Sequence, residues 1–170
     1  HIVVESTGIS EPHPVAQAFS APIASLGADA AKHEALAAAT SGLNSLQDAA
    51  HLHSLVTVVD CATFLEHIHS LEDLSALGMG SAPNDERPLA FLLMEQVQFA
   101  NLLLLNKTDL VSRAERGRIA RFLALLNPSA TVVETQHSRI DVPALLATRQ
   151  YDEAHFSSMP AWAEELAKAP

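Results

Sequence analysis

Asn106-Lys107-Thr108-Asp109 follow directly on the apolar run Leu102-Leu103-Leu104-Leu105. These residue types suit one task, the reading of a purine. Guanine presents two adjacent donors, N1–H and the exocyclic N2–H, and a single carboxylate can accept from both in the strong, charge-assisted geometry. Adenine has no such pair. Asp109 would therefore set base choice. Asn106 would tie the loop together and meet the base edge, and the aliphatic stem of Lys107 would lie over the purine face. The same four letters also read as a polar turn closing a strand, because Asn and Asp are ordinary turn formers. The strand before them and the helix after them favour guanine.

A second constellation opens the chain. Ile2 to Val4 reads as a short first strand, followed by Glu5-Ser6-Thr7-Gly8. This is the acid-x-x-Gly pattern of P-loop GTPases. The acid there holds Mg²⁺, usually through water, since Mg²⁺ keeps several waters and takes one or two carboxylates. The glycine lets a backbone N–H approach the γ-phosphate with no side chain in the way. Taken alone, the pattern is equally a strand ending in a polar turn. The phosphate-cradling Gly-x-x-x-x-Gly-Lys-Ser/Thr loop is not present in the 170 residues. It normally precedes the acid-x-x-Gly element, so the expectation is that this chain is the later part of a longer protein.

The elements that must position these residues alternate strand and helix, which predicts a parallel α/β sheet. A helix is expected over Pro12–Phe19, with Ser10 as its cap and Pro12 in its first turn. Leu55–Val59 is a β-branched run fit for a buried strand. Leu89, Leu92, Leu93 and Val97 recur at helical spacing within Arg87–Ala100. Leu102–Leu105 is the strand feeding the guanine loop. Ser112 and Glu115 form a capping box, and Ile119, Phe122, Leu123 and Leu126 line one helical face. Asn127-Pro128 stops that helix, and Thr131–Glu134 is the last strand. The role of the loop Thr135–Ser138 is left open by its letters. Ala21–Ala50 and Ser70–Pro88 look like insertions, the second a surface loop rich in Gly and Pro.

The segments VVESTGISEPHPVAQAF, LVTVVDCATF, EQVQFANLLLLNKTDLV, LNPSATVVET and LLATRQYDEAHFSSMPAWAEEL resemble, in order, the CobW-like GTPases. These are SIMIBI-class P-loop proteins linked to metal-ion insertion and trafficking, often of zinc or cobalt. The resemblance covers nearly the whole chain apart from the two insertions. It implies a mostly parallel sheet flanked by helices in a P-loop NTPase (SIMIBI-type) fold, present as a partial domain. Residues 1–148 would be the later portion of the GTPase domain, and 149–170 an exit strap or linker anchored by Trp162, leading to a further C-terminal domain. By resemblance, Glu5 is the Mg²⁺-side acid, Gly8 the γ-phosphate contact, and Asn106, Lys107 and Asp109 the guanine site. The family's Cys-x-Cys-Cys metal motif would fall upstream of His1.

The chain carries 10 Lys and Arg against 20 Asp and Glu, a formal net charge of −10. That argues against a nucleic-acid or anionic-lipid surface. At 48% apolar residues, the composition is that of a folded domain. The single cysteine, Cys61, excludes an internal disulfide and suggests a reducing, cytoplasmic setting. It reads either as a soft metal ligand or as a small core residue. Nine histidines are many for one domain. His51 and His53 could share a strand face and bind metal together, whereas His67 and His69, at a helix end, would diverge. Asp60, at the end of a strand, could approach Mg²⁺ or a switch loop, or make a structural hydrogen bond. His13 could move with the nucleotide.

The leading reading is a GTP-hydrolysing metal chaperone that takes GTP and Mg²⁺, carries zinc as cargo and hands it to a metal-dependent client protein. A homodimer is compatible with it. The rival from another class is a non-catalytic scaffold derived from such a GTPase. A cobalt or nickel GTPase accessory protein is a further alternative. The isolated chain is expected to bind GTP weakly and to be marginally stable.

Overall fold

In the computed structural model, residues 2–23, 41–70, 72–75, 87–146, 150–152, 154, 156 and 158 are described. Three strands form one parallel sheet in the order β1 (Val56–Asp60), β2 (Leu102–Asn106), β3 (Thr131–Glu134). Val56 pairs with Leu102 and Asp60 with Asn106. Leu102 pairs with Thr131 and Leu105 with Glu134. β2 is central, and all five of its residues are buried. Four consecutive leucines suit that place, because a strand covered on both faces need not alternate apolar with polar.

The helices are α1 (Pro12–Ser20), α2 (Phe64–His69), α3 (Leu89–Gln98), α4 (Arg113–Leu126) and α5 (Val142–Leu146). The main core joins Val59, Leu103 and Leu105 of the sheet to Phe64, Val97, Ile119 and Leu123 of α2, α3 and α4. Phe64 meets Phe122 edge to face at 5.9 Å.

The capping box forms as expected. The Ser112 hydroxyl accepts from the Glu115 amide at 3.2 Å, and the Glu115 carboxylate accepts from the Ser112 amide at 3.0 Å. Donation from the Ser112 hydroxyl at 2.7 Å, and then from its amide, holds the Glu115 carboxyl below its ordinary range. α4 ends at Asn127, which is buried and spans two connections. Its Nδ2 donates to the carbonyls of Val97, Gln98 and Ala100 at 2.9, 3.0 and 2.8 Å. Its Oδ1 accepts from the amides of Ser129 and Ala130 at 3.2 and 3.1 Å.

Three expectations fail. β1 is not buried on both faces: Val59 enters the core, but Val56 and Val58 are 39% and 58% exposed on the other face, where no described element covers them. Ile2–Val4 is not a strand: the segment pairs with nothing among the described residues, and its side chains are 82%, 73% and 61% exposed. A β-branched run becomes a strand only beside a backbone that takes up its N–H and C=O groups. Ser10 does not cap α1. Its amide closes a turn on the Thr7 carbonyl at 2.9 Å, and the helix starts after Glu11 with Pro12 leading its first turn.

The expected insertions fall largely outside the described residues. Within them, Pro22 bridges Ser45 and Asp73 bridges Pro88. Trp162 lies outside the described residues as well. The strap is held earlier in the chain, where Tyr151 stacks on Phe156 at 5.0 Å and Phe156 on Phe99 at 6.2 Å. No helix among the described residues is long and apolar enough to cross a membrane.

Candidate functional site

The guanine-loop residues lie at the C-terminal end of β2, the edge where open α/β sheets bind ligands. Asn106 ends the strand and is only 8% exposed. Its Oδ1 accepts from the Ser138 amide at 2.9 Å and the Thr135 hydroxyl at 3.1 Å, and its Nδ2 donates to the Ser138 hydroxyl at 2.9 Å. Thr108 adds a second tie, its amide and hydroxyl both reaching the Thr135 carbonyl, at 3.3 and 3.0 Å. The loop Thr135–Ser138, whose role its letters left open, is thus the frame of Asn106. Since the amide nitrogen carries two hydrogens, one remains for a base edge.

Lys107 is left-handed, with φ 60°, and its ammonium meets Asp60 Oδ2 at 2.5 Å. Asp60 in turn accepts from the Ala62 amide at 2.9 Å. The structural role weighed for Asp60 is therefore the one observed. A half-exposed pair of this kind adds at most about 1 kcal/mol; what it does is fix where the lysine stem runs. His137 and Ser138 are also left-handed, at φ 52° and 54°. All the non-glycine residues of positive φ among those described fall in these two facing loops. Each costs on the order of 1 kcal/mol, and such strain gathers where structure is held for function.

Asp109 is exposed in the short turn Thr108–Leu110. Among the described residues, no hydrogen bond or ion pair engages its carboxylate. It can accept from a ligand without first giving up a protein partner. An open depression of about 380 Å³ borders the loop at Thr108, Arg116, Glu134, Thr135 and Arg139. Neither Lys107 nor Asp109 lines it.

The second constellation is less enclosed. Glu5 is exposed, with no partner among the described residues. One free carboxylate suits Mg²⁺ held through water. Gly8 is exposed, and a Cβ added there would meet no atom within 4 Å. The packing of the fold therefore does not require glycine at this position.

The family model for the CobW/HypB/UreG nucleotide-binding domain matches residues 1–134. The chain belongs to that family. It is 35% identical over 166 residues to a zinc-regulated GTPase metalloprotein activator 1 of Dictyostelium discoideum, covering 98% of this chain and 32% of the relative. A protein of the same name from Schizosaccharomyces pombe is 26% identical over 141 residues, covering 83% and 25%. A zinc chaperone CobW of Pseudomonas aeruginosa is 25% identical over 167 residues, covering 94% and 38%. The chain thus spans between a quarter and two-fifths of the length of these relatives. No solved structure matches it.

The other CobW-family candidates are placed as follows. Cys61 is buried in the main core. Burial first, then the neighbouring Asp60 and Glu134 carboxylates, push its thiol up to about 11. Packed there among Val59, Phe64 and Leu105, Cys61 serves as a small apolar core residue. His51 and His53 precede β1 and belong to no strand, so the strand-face argument for them does not hold; the His53 carbonyl accepts from the Tyr151 amide at 3.0 Å. His53 Nδ1 lies 3.4 Å from the Leu146 carbonyl. Among the described residues, no group of three or more His, Cys, Asp or Glu could hold a metal ion. Two histidines fall short of the four ligands of a closed zinc site. The side chain of His13 lies outside the described residues.

Proposed function

We propose that this chain is the guanine-reading part of a GTP-hydrolysing metal chaperone that couples nucleotide state to delivery of a metal, zinc first, to a client protein. The observation that carries the reading is the unengaged Asp109 carboxylate, set beside an Asn106 held from three sides at the mouth of the central strand. The names of the relatives, a zinc-regulated GTPase activator and a zinc chaperone, supply the metal and the nucleotide.

In this reading Asp109 selects guanine, Asn106 offers its remaining hydrogen to the base, and the Lys107 stem, fixed by Asp60, covers the purine face. Glu5 would hold Mg²⁺ through water, and the ion would supply charge neutralisation at the phosphates. The Gly8 N–H would face the γ-phosphate. Catalysis rests on positioning and charge stabilisation rather than on covalent chemistry. His51 and His53 could contribute to holding cargo only alongside donors from elsewhere. A cytoplasmic setting and a homodimer are part of the same proposal.

Calorimetry on the full-length protein with Mg²⁺ tests it. GTP should bind and ATP should not, and Asp109→Ala should weaken GTP by about 100-fold or more, the loss of two charge-assisted hydrogen bonds. Binding of neither nucleotide would transfer the reading to the scaffold alternative.

A further inference from the structure

Residues 8–11, which follow the acid-x-x-Gly turn, lie docked along α3. The amide nitrogen of Gln96 donates to the Gly8 carbonyl at 2.9 Å and to the Ser10 carbonyl at 3.0 Å, so both of its hydrogens are engaged. Between these two points, the Ile9 side chain packs against the cluster of Leu74, Leu89 and Leu92. Just beyond them Glu11 is ion-paired with Arg87, two residues before α3. The helix itself is tied to the sheet at the same residue, since the Thr57 hydroxyl donates to the Gln96 carbonyl at 2.8 Å.

This docking orients one group in particular. The Thr7 carbonyl and the Gly8 N–H belong to one planar, trans peptide and point in opposite directions. The Thr7 carbonyl is turned inward, accepting from the Ser10 amide at 2.9 Å. The Gly8 N–H is therefore turned outward, and Gln96 holds the residues on both sides of that turn, Gly8 and Ser10, by their carbonyls.

We propose that Gln96 is the positioning residue for the Gly8 N–H, and that through it the occupancy of the γ-phosphate site is joined to α3. The inference rests on the reading of Gly8 as the γ-phosphate contact. Gln96 touches no nucleotide and acts through the loop alone. It therefore governs the preference for triphosphate over diphosphate and leaves base choice to Asp109.

The test compares GDP with a non-hydrolysable GTP analogue, by calorimetry on the full-length protein and its Gln96→Leu, Gln96→Glu and Gly8→Ala variants. Gln96→Leu should weaken the analogue by about 10-fold, the loss of two ordinary hydrogen bonds, with GDP affinity held within about 2-fold. Gln96→Glu keeps the shape but sets a carboxylate against two carbonyls. It should lose at least as much at neutral pH and recover in part at low pH, where a protonated carboxyl regains one donor. Unchanged GDP binding is the internal check that each variant is folded. Equal losses for both nucleotides, or no loss in either Gln96 variant, would overturn the proposal. Gly8→Ala separates the two layers, since the fold has room for the added methyl group. If it lowers analogue affinity and the Gln96 variants do not, Gly8 keeps its role and Gln96 loses its own. If it changes nothing, the γ-phosphate reading falls and the proposal falls with it.

Discussion

The two loops nominated for the nucleotide are held by opposite means. The guanine loop grows out of a buried central strand and is fixed by side chains from two other segments, Asp60 on one flank and Thr135–Ser138 on the other. The Glu5–Gly8 segment follows an exposed, unpaired stretch and is fixed only at its end, by the turn from Thr7 to Ser10 and by contacts from α3 to Gly8 and Ser10. The first arrangement keeps three strained residues in place and presents a ready-made surface. The second leaves the Glu5 carboxylate unpartnered among the described residues and anchors its outward N–H from one side alone, through the turn and Gln96. Under the proposed function, base reading would be built into the sheet, whereas phosphate sensing would depend on a helix reaching out to a loop.

Substitutions can sharpen or break this contrast. Asn106→Ala should be the most damaging, costing about 2–3 kcal/mol because Thr135 and Ser138 lose their partner at a buried site. Thermal unfolding measures it, and a cost under about 0.5 kcal/mol would show that the frame does not depend on Asn106. The next test is alkaline pH. The folded state holds the Cys61 proton more tightly than the unfolded state, whose thiol ionises near 9.0. This contribution is whole below pH 9 and is lost as pH rises toward about 11, on the order of 2 kcal/mol in all. Denaturant melts across that range measure the slope, and Cys61→Ala should flatten it. A slope unchanged by that substitution would mean that other groups set it. Val3→Thr should matter least, within about 0.5 kcal/mol, because the side chain is 73% exposed. A cost above 1 kcal/mol in the full-length protein would mean that this stretch is paired there, and the contrast between the loops would narrow.

What the sequence made legible were elements whose cause is local or periodic. β2 and β3 follow from runs of apolar and β-branched residues, and α4 from its capping box and helical stripe, each found within a residue or two of the expected place. The place of Asn106, Lys107 and Asp109 at the end of β2 was legible because the motif is written in consecutive letters directly after the strand. The frame around them was not legible, because it joins residues 29 to 47 positions apart. Nothing in the letters marks His137 and Ser138 as left-handed, since neither is glycine. Gln96 was hidden for the same reason: on paper it is one more polar residue on a helix, and its partners lie 88 and 86 positions away. Ile2–Val4 was misread in the other direction, because a strand is a property of two backbones and the sequence supplies only one.

Asn127 has a consequence for where this chain can change in length. Its single amide nitrogen collects three carbonyls from residues 97, 98 and 100, while its oxygen gathers the amides of 129 and 130. The spacing from the end of α3 to the start of β2 is thereby fixed to the residue, as is the turn into β3. An insertion or deletion at either place would pull carbonyls or amides off the same side chain. Length changes must therefore accumulate elsewhere, and the long connections that flank β1 are where this chain has room for them.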